Sequence, residues 1–114
     1  MTFLTIATLE EWIDQFRALG YAVPDDVRVV PQDGGEGADT GLVVATLDSV
    51  PTKLYIQPVE VGSLDWCVTF EPRAEASATN AATVMGIATE LMVISALCAF
   101  LEARARAHAT PDAI

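Results

Sequence analysis

The chain has 114 residues, 52% hydrophobic and 19% charged, and its six Lys and Arg stand against sixteen Asp and Glu for a formal net charge of -10. That length suits one domain with its own core, residues 1–114, and so apolar a composition excludes a disordered acidic segment. The acidic surplus, with no Lys/Arg cluster, argues against direct binding of nucleic acid and makes anionic membranes poor partners; a basic protein is the electrostatic complement.

No basic and apolar leader pattern opens the chain, which predicts a cytoplasmic protein. Thr8-Leu9-Glu10-Glu11 has the form of a helix capping box. From there Leu9, Trp12, Ile13, Phe16 and Leu19 recur at three and four residues and make one apolar face, with Glu10, Asp14 and Arg17 toward water. Gly20 and Pro24 stop this first, short helix. Residues 27–30 form a short strand candidate closed by Pro31, and 32–40, with three glycines and three acids, reads as a flexible loop.

Three stronger strands follow at 42–48, 52–59 and 64–71. The last alternates Leu64, Trp66, Val68 and Phe70 with Asp65, Cys67, Thr69 and Glu71. Links this short forbid helical crossovers, so the expectation is a three- to four-stranded antiparallel meander. Pro58 lacks a donor and suits an edge or a bulge. Lys53, Tyr55 and Gln57 fall on the parity opposite Leu54 and Ile56 and form a candidate binding patch on the sheet surface. Trp12 and Trp66 sit on apolar faces and are expected to anchor the core.

A long final helix is predicted from Ser77 or Thr79 to about Ala107, on the order of 40 Å at 1.5 Å per residue. That exceeds what four short strands can cover. Residues 84–101 are apolar almost all round, with Glu90 the only charge. A carboxylate in the middle is costly in lipid, and alanine, glycine, threonine and serine dilute the rest, so no membrane insertion is expected. A stripe of Val84, Ala88, Leu91, Ser95, Cys98 and Leu101 or Glu102 is expected to face the sheet, leaving a second face exposed. Adaptable methionines and small residues make Met85, Ala88, Met92, Ala96 and Ala99 the candidate interface for a dimer or a client. The tail is expected to fray from about 108 to 114.

Chemistry is sparse. His108 is the sole histidine and falls at the edge of that tail, Lys53 is the sole lysine, and Cys67 and Cys98 are flanked by apolar residues, as buried small hydrophobes are. No metal-binding spacing occurs, and the acidic loop 33–39 lacks the final glutamate and flanking helices of a calcium hand. Asp65, Glu71 and Glu60 read as the solvated side of strands. The expectation is no enzyme, no metal and no cofactor.

In outline, with helix, antiparallel strands and long apolar helix in a small acidic chain, the sequence resembles the type III secretion chaperones and the related YbjN-like regulators. The resemblance covers most of the chain as topology, without a motif matched residue by residue. It implies cytoplasmic, usually dimeric proteins that hold other proteins. The leading expectation is therefore an α+β domain acting as a non-catalytic, dimeric chaperone or adaptor for a basic or apolar client. An antitoxin or immunity-type inhibitor of a basic toxic protein is a second reading, and an enzyme or binder for a small cationic ligand a third.

Overall fold

Helix α1 (Ile6–Ala18) begins one turn earlier than its sequence suggests. The structure, a computed structural model, describes residues 4–24, 26–31, 41–47, 50, 52–60, 63–71 and 78–109. Thr5 caps α1 in an extended conformation: its hydroxyl accepts from the Thr8 amide at 3.1 Å and donates to the Thr8 hydroxyl at 2.9 Å. The expected box at Thr8 and Glu11 is thus corrected. Thr5 offers the same capping oxygen three residues upstream, and Glu11 instead accepts from the Gln15 side chain at 3.3 Å.

At the other end Leu19 is the C-cap and is exposed, so it leaves the apolar face it was expected to extend. Gly20 takes φ +100, which turns the chain out of the helix, and its amide donates to the Arg17 carbonyl at 3.0 Å. Tyr21 then stacks on Phe16 with ring centroids 4.3 Å apart, and the Arg17 guanidinium donates to the Val27 carbonyl at 3.2 Å.

Strands β1 (Arg28–Pro31), β2 (Gly41–Thr46), β3 (Lys53–Pro58) and β4 (Trp66–Phe70) form one antiparallel sheet in the order β1-β2-β3-β4, the expected meander. With α1 and the long C-terminal helix α2 (Ala81–Ala109) this makes an α+β fold. The register aligns Val29, Val43, Ile56 and Val68 in one row and Ala45, Leu54 and Phe70 in the next. Both rows face the helices. Pro58 is the last residue of an inner strand, opposite Trp66, rather than an edge residue, and a strand terminus is where a missing donor interrupts least.

The core joins Leu9, Trp12, Ile13 and Phe16 of α1 to Val43, Ala45, Leu54 and Ile56 of the sheet and Ile94, Leu97 and Leu101 of α2. Gly41 lets α1 approach: a β-carbon there would stand 2.6 Å from Val29 Cγ1 and 3.0 Å from Leu9 Cδ1. Both tryptophans are buried as expected.

Asn80 caps α2, its side-chain oxygen accepting from the Thr83 amide at 2.8 Å and its carbonyl from the Val84 amide at 3.0 Å. Helix α2 therefore starts after Thr79, while Ser77 lies outside the described residues. His108, expected to fray, is helical, and its ring meets Trp12 edge-on with centroids 5.9 Å apart. The expected loop at 32–40 and residues 110–114 lie outside the described residues.

Candidate protein-binding face

Helix α2 has two apolar faces. The inward one carries Ile94, Leu97, Leu101 and Ala105, all buried, with Ile87 and Leu91 half-buried against the same core. This corrects part of the expected sheet-facing stripe: Leu91, Cys98 and Leu101 lie in or against the core, but Val84, Ala88 and Ser95 are exposed, and the helix is rotated so that Ile94 and Leu97 meet the sheet and α1. An isoleucine and a leucine fill the space between helix and sheet better than serine and alanine do.

The rotation is locked at the C-terminal half. The Glu102 carboxylate accepts from the Trp66 amide at 2.8 Å, and the Arg106 guanidinium pairs with Asp65 at 2.8 Å and reaches toward Glu102 at 3.9 Å. Phe100 packs obliquely on Phe16 at 5.4 Å, while Arg104 places its guanidinium 4.8 Å over the Phe100 ring. These contacts fix which residues point outward.

The outward face consists of Ala81, Met85, Ala88, Met92, Ser95 and Ala99, spaced alternately by four and three residues, and every one of them is exposed. Met85 is 67% and Met92 72% exposed. Of the five candidate interface residues, Met85, Ala88, Met92 and Ala99 share this face. Ala96 does not belong at its centre, being half-buried against the core. Ser95 takes the central place; its spacing from Met92 and Ala99 was the available signal.

No charge interrupts this face between 81 and 99, because Glu90, the one charged residue there, lies on the opposite side of the helix and is half-buried. The stretch Ala81–His108 has the length and apolar composition to cross a membrane, and 17% of its most apolar part is buried. In this fold, however, its second half forms the floor of the core.

The second candidate surface is the sheet face turned away from the helices. Lys53, Tyr55 and Gln57 lie there, as the parity predicts, Lys53 exposed and the other two half-buried. The Tyr55 hydroxyl donates to the Glu71 carboxylate, and this hydrogen bond, with smaller contributions from desolvation and the Glu71 charge, raises the phenol above its ordinary value. Sequence reasoning missed Val44, which stands opposite Tyr55 and is 4% exposed yet outside the helix-facing core. The signal was the unbroken apolar run Leu42-Val43-Val44-Ala45, typical of a strand covered on both faces.

The residues considered for chemistry are dispersed. Asp65 pairs with Arg106 at the start of β4, Glu71 follows its far end, and Glu60 is exposed in the β3–β4 link. Among the described residues no group of three or more His, Cys, Asp or Glu side chains is placed to hold a metal ion. The acidic loop 33–39 lies outside the described residues. Both cysteines are free and half-buried rather than buried. Burial pushes the Cys98 thiol up, with the Glu102 charge and then Cys67 adding in the same direction.

No family model matches the chain, no curated protein matches it, and no solved structure matches it. The functional reading therefore rests on the molecule's own surfaces.

Proposed function

We propose that this chain is a non-catalytic protein-binding module, a small acidic dimeric chaperone or adaptor, and that the outward face of α2 is its docking surface. One observation carries the reading: an exposed helix face about five turns long bears no charge in a chain with sixteen acidic and six basic residues. A solvent-facing helix surface is normally polar, and an apolar one of this extent is stabilised by a partner. Burying a methionine side chain fully is worth roughly 1.5–3 kcal/mol, so Met85 and Met92 are the anchors. The acidic body would then favour and steer a basic client.

A protein partner fits better than lipid. Ile94, Leu97 and Leu101 belong to the core, so inserting the whole helix into a bilayer would dismantle the fold.

The test is Met92→Glu, followed by light scattering at micromolar concentration and circular dichroism. The native chain should have a mass above that of one copy. The variant should fall to one copy with its helix and sheet signals intact, because Met92 touches solvent rather than core. An unchanged mass in the variant would remove the outward face as the docking surface.

A further inference from the structure

The outward face of α2 is self-complementary when read in opposite directions, and we infer that its partner is a second copy of this chain, bound antiparallel about a two-fold axis level with Glu90. This rests on the reading of that face as a docking surface and adds its occupant and register. Alternating spacings of four and three residues form the seam of a two-helix coiled coil. Met85, Met92 and Ala99 take one of its two core positions, and Ala81, Ala88 and Ser95 take the other.

In an antiparallel pair each layer joins one kind of position to the other. With the axis level with residue 90, Met85 meets Ser95 of the second copy, Met92 meets Ala88, and Ala99 meets Ala81. Every methionine therefore lies opposite a small residue, and the inter-helix distance stays even along the seam. A parallel pair in register would instead place Met85 on Met85 and Met92 on Met92, with alanine on alanine between them. Such layers alternate between wide and narrow, which rigid helices cannot follow without leaving voids. The match is also isologous, so two copies close and assembly stops at a dimer.

Charge favours the same direction. The acidic body packs against the C-terminal half of α2, around Ile94, Leu97 and Leu101. Antiparallel pairing about residue 90 places those regions of the two copies about 15 residues apart along the seam, roughly 22 Å at 1.5 Å per residue. That is more than twice the screening length of about 8 Å at physiological salt. Parallel pairing would set two chains of charge -10 side by side. The projecting N-terminal half of each helix would instead lie along the occupied half of the other.

The register is read by cross-linking in full-length protein with Cys67→Ala and Cys98→Ala, into which Met85→Cys or Ser95→Cys is introduced singly. Both new cysteines lie on the exposed face, and circular dichroism of each variant checks that the fold is kept. When the two variants are mixed, left to exchange under reduction and then oxidised, the 85–95 pair should cross-link several-fold more than either variant alone. Identical positions would be about 15 Å apart along the seam, beyond the roughly 7 Å reach of a disulfide. Strong cross-linking of Met85→Cys with itself would show a parallel pair and overturn the register, while leaving the docking surface in place. A native mass of one copy at 100-fold the concentration of a typical micromolar assay would overturn the second copy as occupant. A dimer whose mass is untouched by Met92→Glu would overturn both this inference and the reading beneath it.

Discussion

The two ends of the apolar stretch 84–101 of α2 have opposite surroundings. Ile94, Leu97 and Leu101 in the second half are shut off from water, whereas Val84, Met85 and Ala88 in the first half are exposed. The difference comes from the length of what lies beneath. Strand β4 has five residues, about 17 Å at 3.3 Å each, and α2 has 29, about 43 Å. Hydrophobicity alone therefore does not tell which part of a helix is core. The extent of the supporting sheet decides it.

The sharpest way to break this comparison is to truncate one residue in each half. Leu97→Ala removes a side chain with no exposure and should lower unfolding free energy by about 2–5 kcal/mol, measured by urea denaturation. Met85→Ala should leave the stability of the isolated chain within about 0.5 kcal/mol, since the side chain faces water. Comparable losses at both sites in a monomer would mean that the first half is buried after all. Gly41→Ala tests the other wall of the core. Its β-carbon would overlap Val29 Cγ1, and an overpacking cost of about 1–3 kcal/mol is expected in the same assay.

Much of this arrangement is legible in the sequence, for identifiable reasons. The strands are readable because side chains alternate between core and solvent: Trp66 and Val68 face the helices, as their parity requires, while Cys67 and Thr69 face away. The order of the sheet follows from links too short to cross over. The overhang of α2 is readable from length. Its rotation is not, because with Glu90 the sole charge in 84–101 no polar arc marks the solvent side. Phase is set instead by tertiary contacts, Glu102 with the Trp66 amide and Arg106 with Asp65, between residues distant in sequence. The same limit explains the choice of Ala96 over Ser95 for the seam. The cap of α1 is misplaced because Thr5 and Thr8 both offer a suitable oxygen, and local pattern does not rank them.

A smaller effect sharpens the account of how the second half is fastened. Glu102→Ala would leave the Trp66 amide without its charged acceptor and remove the carboxylate that Arg106 reaches at 3.9 Å, at a cost of about 1–2 kcal/mol. Amide hydrogen exchange should report the loss first at Trp66 and in the last turns of α2. Unaltered protection there would show that apolar packing alone orients the helix.

The smallest expected effect separates the helix face from the sheet face as an interface. Tyr55 donates to a carboxylate, so removing its proton replaces an attractive hydrogen bond with two neighbouring negative charges. Its ionisation, followed by ultraviolet difference absorbance, should have a midpoint above the ordinary value of about 10. Because the folded value is the raised one, this pair's contribution to stability is complete below the unfolded value and is lost as pH rises through the folded one. Glu71→Gln should bring the midpoint back down. Met92→Glu should leave it where it was, because dissociation along α2 does not alter the sheet surface around Tyr55. If dissociation did shift the Tyr55 midpoint, the sheet surface around Lys53, Tyr55 and Gln57 would belong to the contact together with the outward face of α2.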